Sequence, residues 1–548
     1  VTRLARAAPA TTDLVKLTYA QLTATHPDLD LGYIRSLRAL TEGGRKLFGD
    51  AKTLETLFPR HTDEPPTTYE ERKRRAFYIP YPGEVVGELV SLLAQDPLVI
   101  DAEPKPAPFY TEVFVNDVDR QGLDLTAWAQ GRAREALIAG RAWSLVDFPK
   151  RPEEVRVETA ADEERLGLTR AYLVPLDTEC VPDWETDDHG ELLWACVSSR
   201  AVVRDNPGTS RKNVRERFTF YDHTEWQRYE VVYDPDKPPA PEDTFAPTLR
   251  GEHSFGCVPL LRLDLPTGLW ALDKIASIAR AFLNQRSACS WAQMKHLFPL
   301  LVAYLGPEAG GGGEIPADVQ TNPARATAQT YGVGRIHTFG KDDKLSYTAP
   351  PSDVFNVALE DLRFLRDEIF RVTHTMAAAV ESSSAVAVGR SGDSKRQDRV
   401  SKEIIAGELG KKLRDHAGDV LRAVEAGRRE APRRWSVRGF ARFDQVTANE
   451  AAEQGQVVES LAIPSPTFWR IYRGSMAERL LRFDATPEQM AQIRKEIEAN
   501  TPAEDYDPAN RTNGKGGKGE EDGTGDEGNE RPSVPPAAPP GGDEGEDG

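Results

Sequence analysis

The sequence predicts an α+β protein, on three observations. Residues 170–265 hold short apolar runs separated by turn residues, the pattern of paired strands. Three helical stretches follow, Leu269–His296, Ser352–Ala379 and Lys395–Gly427. The chain then closes on shorter helical pieces and a Gly-, Pro-, Asp- and Glu-rich tail. The breaks between the three helices differ in kind. The first is long and carries Gly310 to Gly313, and the second, Glu381–Ser394, is built of small residues and runs into a basic helix start. A helix out, a β-rich insert, a helix back, a short loop and a long helix describe a strut with a finger on it rather than an enzyme pocket.

At 548 residues the chain has room for two to four domain-sized units. Its 39% hydrophobic content is ample for cores, and the mean hydropathy of −0.52 fits a soluble protein. There is no run of about 18 apolar residues, so no membrane span is expected. The first residues, VTRLARAAPATTDLVK, lack the apolar stretch of a secretory signal. Cys180, Cys196, Cys257 and Cys289 are widely spaced and read as buried free thiols rather than a disulfide or zinc framework.

The formal charge of −18 is unevenly placed. Residues 501–548 hold 13 acids and 4 bases with almost no large apolar side chains, a composition that cannot offset its ordering entropy and predicts disorder. Between Arg390 and Arg442 the balance reverses, with 15 bases against 8 acids.

Element by element, residues 1–80 read as helical pieces with a loop at Thr62–Thr68 and a basic amphipathic stretch at Tyr69–Ile79. Val85, Leu89, Leu92 and Leu93 make one face of a short helix after Gly83. Residues 101–109 read as an extended linker. Asp124 is placed to cap a helix through Trp128, Ala133 and Leu137 that Gly140 ends. Strands are expected at Ala142–Asp147, Ala171–Leu176 and Leu192–Ser198, with a hairpin of Phe218–Tyr221 and Tyr229–Tyr233. Trp184–Leu192 reads as turn chemistry and Asp236–Pro247 as a loop. Ala358, Leu362, Leu365, Ile369, Val372 and Met376 form one helical stripe. The third long helix, on the order of 50 Å, contains Gly407, Gly410 and Gly418, and a bend is expected near Gly407–Gly410. A strand at Trp435–Arg442 and helices starting near Ser465 and Thr486 complete the chain.

Catalytic motifs are missing from the sequence. No glycine-rich stretch runs into Gly-Lys-Ser/Thr, and Gly389–Asp393 lacks the last glycine of a nucleophile elbow. Asp183, Asp187, Asp188 and His189 are the best metal candidates, but a hairpin turn explains them equally well. Tyr221–His223 with Glu225 and Trp226 reads as a strand end beside a turn. No catalytic residue, metal or cofactor is therefore assigned. Two basic clusters stand out. Arg390, Lys395, Arg396, Arg399 and Lys402 include three residues on one helix face, and Arg72, Lys73, Arg74 and Arg75 are contiguous. Either is a polyanion-facing surface or an ordinary solvated face. The acidic total argues against tight nonspecific duplex binding.

The order of elements resembles the portal proteins of tailed bacteriophages over most of residues 60–500. The stretches that carry it are YEERKRRAFYIPYPGEVVGELVSLLAQDP, GRAREALIAGRAWSLVDFP, TRAYLVPLDTECVPDWETDDHGELLWACV and LDKIASIARAFLNQRSACSWAQMKHLFPLLVAYLG. The resemblance implies an α/β wing over residues 1–265, stem helices at 266–297 and 351–380, and between them a small α/β clip at 298–350 with strands near Tyr331–Phe339. It further implies a tunnel loop at 381–394, a kinked helix rejoining the wing at 395–434, a helical crown at 435–500 and a disordered acidic tail at 501–548. It implies a ring of about twelve copies with cyclic symmetry, a virion component assembled in the host cytoplasm. Double-stranded DNA would pass through the ring nonspecifically during packaging and ejection, and a separate terminase would supply the ATP chemistry. The major capsid protein and head-completion or tail adaptor proteins are the further partners implied. The residues lining the channel would be Ser382, Ser383, Ser384, Val386, Val388 and Arg390 of the loop, with Lys395, Arg396, Arg399 and Lys402 of the helix behind it. Two other readings remain open: a metal-dependent nucleic-acid enzyme using Asp177, Asp183 and Asp187, and a different capsid or head-completion protein.

Overall fold

The computed structural model describes residues 16–149, 160–204, 212–296, 300–304, 344–348, 352–373, 392–441, 443, 456–458, 460, 463, 465–481 and 487–499. It is an α+β structure in two units, residues 1–443 and 444–548.

The first unit opens with β1 (Leu17–Thr18) and a run of short helices, α1 (Tyr19–Leu22), α2 (Leu31–Glu42), α3 (Gly44–Phe48), α4 (Ala51–Leu57), α5 (Pro66–Arg74) and α6 (Tyr81–Leu93). Local chemistry sets their ends. Asp30 caps α2 by accepting from the Tyr33 amide at 2.9 Å, and Ile34, Leu37 and Leu40 make its buried face. On α6 the expected stripe is present, with Val85, Leu89 and Leu93 buried, although the helix begins two residues before Gly83.

Next comes β2 (Val99–Glu103), so the expected linker is in part a strand. After a π-helical turn at Phe109–Phe114, α7 (Leu125–Ala139) starts where expected, with Asp124 accepting from the Ala127 amide at 2.8 Å. Gly140 ends it at φ 76°, and a Cβ there would lie 2.9 Å from the Trp270 ring. That position tolerates no side chain for two separate reasons. Most of α7 is buried on every side, including Arg132 and Glu135, which makes it the hub of the unit rather than a one-faced helix.

Two main sheets follow. β3 (Arg141–Asp147), β4 (Tyr172–Leu176) and β11 (Leu260–Asp264) form a sheet of order β11–β3–β4, with α8 (Ala160–Arg165) in the β3–β4 connection. β5 (Asp183–Thr186), β6 (Leu192–Val203), β7 (Asn213–Tyr221), β8 (Glu225–Tyr233) and β10 (Leu249–Glu252) make an antiparallel meander of order β10–β8–β7–β6–β5. The expected β7–β8 hairpin is present and longer than its apolar core, with Tyr221 opposite Trp226 and Val214 opposite Tyr233. Trp184–Thr186 belongs to a strand, so the turn is shorter than the sequence suggests. Within the Asp236–Pro247 loop, β9 (Thr244–Phe245) pairs with β1.

Three long helices complete the unit: α9 (Ala271–His296), α10 (Ser352–Val372) and α11 (Gly392–Gly427). β12 (Leu300–Tyr304) pairs with β13 (Lys344–Thr348) between α9 and α10, and β14 (Arg434–Arg438) pairs with β2. The expected strands near Tyr331–Phe339, the glycine run and the tail from 501 lie outside the described residues. In the second unit, α12 (Pro466–Leu481) is capped by Ser465, whose Oγ accepts from the Phe468 amide at 3.2 Å, and α13 (Pro487–Ala499) starts on its proline as expected. Among the described residues no helix is long and apolar enough to cross a membrane.

Candidate functional site

The candidate site is the set of helices that flank residues 374–391 in the chain. N-terminal to them is the α9–α10 pair. Of the expected stripe α10 buries Leu362 and Ile369 and half-buries Ala358, Leu365 and Val372, with Phe370 buried beside it and Met376 outside the described residues. α9 answers with Ile275, Phe282 and Leu283. Tyr81 of α6 wedges between them, edge-on to Phe282 at 5.3 Å and to Phe370 at 5.8 Å between ring centroids. Beyond the helices β12 and β13 pair in antiparallel register, Leu300 opposite Thr348 and Tyr304 opposite Lys344, so the outgoing and returning helices are tied by a two-stranded ribbon.

C-terminal to them is α11. Its long body is pinned at four levels. Lys402 is buried and forms an ion pair with Glu88 of α6. About two turns further on, Gly410 meets the backbone of Phe440 so closely that a Cβ would lie 2.0 Å from its carbonyl oxygen. Arg414 clamps that same backbone, donating to the carbonyls of Gly439 at 2.7 Å and Phe440 at 2.9 Å. His416 is buried, stacks on Trp128 at 5.5 Å and lies 3.2 Å from the Ser144 hydroxyl. At the C-terminal end Glu425 and Glu430 accept from Arg433 at 3.0 and 2.7 Å, and the Arg428 guanidinium sits 3.9 Å over the Phe109 ring. Leu409, Leu413, Val420 and Val424 fill the apolar face between these polar pins.

His416 carries the clearest electrostatic signature. Burial, with a smaller contribution from the Arg132 charge, pushes its pKa down to about 3, so it is a neutral ring at any ordinary pH. Its role is packing and one hydrogen bond, not proton transfer.

The sequence-predicted residues fare unequally. Ser382, Ser383, Ser384, Val386, Val388 and Arg390 lie outside the described residues. Lys395, Arg396 and Arg399 fall on the first turns of α11, which begins at Gly392 rather than Lys395. Lys402 does not fit the expected channel-facing role, because its ammonium is spent on Glu88 inside the protein. The second basic cluster is also partly internal. Arg72 is buried, paired to Glu64 at 2.8 Å and stacked 4.1 Å over Phe58. The tight contact at Gly410 is what sequence reasoning missed, since there the glycine reads only as a helix-weakening residue.

The acidic residues considered for metal do not converge, and among the described residues no three His, Cys, Asp or Glu side chains are placed to hold an ion. Asp187 is a turn residue. Its Oδ1 accepts from the amides of Glu191 at 2.9 Å and His189 at 2.8 Å, and these backbone bonds, that to Glu191 first, hold its carboxyl below the usual range. Asp183 sits on β5, its carboxyl raised chiefly by burial. Burial likewise raises Asp177, which precedes a single 3-10 turn at Thr178–Cys180.

No family model and no curated protein matches the chain. Among solved structures it is similar to a chain of the virion of the native gene transfer agent particle, at 12% identity and a TM-score of 0.35, covering 80% of this chain and 96% of that one. A chain from the neck of the native gene transfer agent particle, computed with C12 symmetry, is similar at 13% identity and a TM-score of 0.32, covering 80% and 95%. An HK97 family phage portal protein from Corynebacterium diphtheriae is similar at 13% identity and a TM-score of 0.30, covering 65% and 92%.

Proposed function

We propose that this chain is the repeating unit of a portal, a ring-shaped conduit at one vertex of a phage-like capsid through which double-stranded DNA enters and leaves. The observation that carries the reading is this set of helices. In the chain a helix pair tied by a ribbon precedes residues 374–391, and a helix pinned from Lys402 onward follows them. A short segment between two rigid supports suits a constriction better than a reaction centre. In this reading α9 and α10 are the stem and the β12–β13 ribbon is the base of the clip. Residues 381–391 form the tunnel loop, and Ser382, Ser383, Ser384, Val386, Val388 and Arg390, with Lys395, Arg396 and Arg399 of α11, face the DNA.

A conduit must let a polyanion slide without gripping it. An acidic chain with a few cations near the constriction meets that need, since the average field repels duplex while local charges guide it. No bond is made or broken on the chain. Energy for packaging comes from a terminase, while the capsid protein and head-completion or tail adaptor proteins hold the ring in place within the virion.

The test is electron microscopy of the purified full chain with native mass spectrometry. Class averages showing a closed ring with a central hole, at about twelve copies, are expected. A stable monomer or an open, unclosed assembly at micromolar concentration overturns the reading.

A further inference from the structure

The β6–β7 hairpin concentrates positive charge outside both basic clusters of the sequence. Of residues 200–204 and 212–217, five are bases, Arg200, Arg204, Lys212, Arg215 and Arg217, and one, Glu216, is an acid. β6 and β7 pair out to Val203 opposite Asn213, so Arg204 and Lys212 follow directly on the last pair at one end of the meander. Both are exposed, and among the described residues no carboxylate pairs with either. Arg200, its side chain 66% exposed, lies opposite Glu216 on one face of the sheet. Arg215 and Arg217 lie on the other face, by the alternation of the strand.

The carboxylates nearby are too few to cancel this set. Glu216 is largely enclosed, accepting from the Tyr19 and Tyr233 hydroxyls at 2.9 Å, and stands 3.5 Å from Arg200. Glu230 answers Arg215 and Arg217 together. Asp234 comes next in register beyond the Val214–Tyr233 pair. Five cations therefore meet three carboxylates. The acidic total of the chain does not erase that surplus, because exposed charges are screened beyond about 10 Å at 0.1 M salt.

We propose that this end of the meander is a contact for the phosphate backbone of duplex DNA, bound without regard to sequence. Four of the five cations are arginines, whose planar guanidinium meets two phosphate oxygens at once. A protein partner fits less well. A protein interface needs a buried apolar centre, and the exposed apolar residues here, Val202 and Val232, lie on opposite faces of the sheet. A polyanion needs only the charges. The contact is separate from the channel residues assigned above and goes beyond the conduit reading. It holds for a single copy of the chain as well as for a ring.

The probe is a labelled duplex of about 30 base pairs and mixed sequence, titrated by fluorescence anisotropy against the full chain. Saturable binding tighter than about 100 µM is expected at about 50 mM salt, weakening about 40-fold at about 200 mM as the neutralisation of about three phosphates requires. The double reversal Arg204→Glu/Lys212→Glu weakens binding at least about tenfold. Arg434→Glu/Arg438→Glu, the same charge change at exposed positions of β14, leaves it within about threefold. No saturable binding by the parent chain at the lower salt, or equal losses in the two double variants, overturns the proposal, and the first result depends on no variant folding. A loss on Arg396→Glu/Arg399→Glu without one on Arg204→Glu/Lys212→Glu moves the contact to α11, which overturns this site and leaves the conduit reading standing. Displacement of the duplex by poly-glutamate at equal charge overturns the choice of DNA over an acidic protein.

Discussion

The two main sheets handle charge in opposite ways. In the three-stranded sheet β3 is buried from Ala142 to Val146, with α7 and α11 packed against it, and the ionic groups nearby are sealed in. Glu135 is 4% exposed and accepts from Arg38 at 2.8 and 2.9 Å and from the Thr178 amide at 2.9 Å. In the five-stranded meander the strands alternate, with Val214 and Phe218 in and Arg215 and Arg217 out. There Glu230 bridges Arg215 at 3.1 Å and Arg217 at 2.9 Å on a face partly open to water. The same residue types therefore carry very different energies. A buried charge that loses its partner keeps its full desolvation cost, whereas an exposed one is rehydrated.

Five variants sharpen or break that contrast. The largest effect is expected at Glu135→Ala, which strands the Thr178 amide and half of Arg38. Urea unfolding should show a loss of about 3–5 kcal/mol, and a loss under about 1 kcal/mol would mean that water reaches the cluster. Next is Gly410→Ala. Helix propensity favours alanine by about 1 kcal/mol, but overpacking against Phe440 costs about 1–3 kcal/mol or more, so the clash wins and the variant is destabilised. Gly407→Ala, whose Cβ would find its nearest neighbour at 4.0 Å, should instead gain up to about 1 kcal/mol.

His416 supplies the pH test. Its folded pKa of about 3 lies below the unfolded value near 6.5, so the unfolded chain binds the extra proton. The contribution is intact above pH 6.5 and is lost as pH falls from there toward 3, with a slope of up to about 1.4 kcal/mol per pH unit. Between pH 7 and 5 the loss is about 2 kcal/mol, and His416→Gln should flatten it. An unchanged pH dependence in that variant would show that another group titrates. The smallest effect belongs to the meander, where Arg217→Ala should cost no more than about 0.5–1 kcal/mol and less in high salt.

Much of the fold was legible in the chain. Asp124 and Gly140 bracket α7, the β7–β8 hairpin follows from alternation, and α9, α10 and α11 begin within three residues of their expected starts. The candidate site was legible only in outline. The glycines of α11 and its basic residues are visible in the sequence, but the carbonyl that meets Gly410 and the carboxylate that neutralises Lys402 are not. The Lys402 partner lies 314 positions away.

By itself the sequence determined the ends of the capped and strongly periodic elements, such as α7 between Asp124 and Gly140, because caps, turns and hydrophobic period act within a few residues. Tertiary structure alone decided which charges stay available. It paired Val99–Glu103 with Arg434–Arg438, sealed Arg72 and Lys402 inside the protein, and left Lys412 and Asp415 exposed. The reason is physical. A charge or a backbone amide is spent or free according to what stands within hydrogen-bond reach, and those neighbours come from distant parts of the chain.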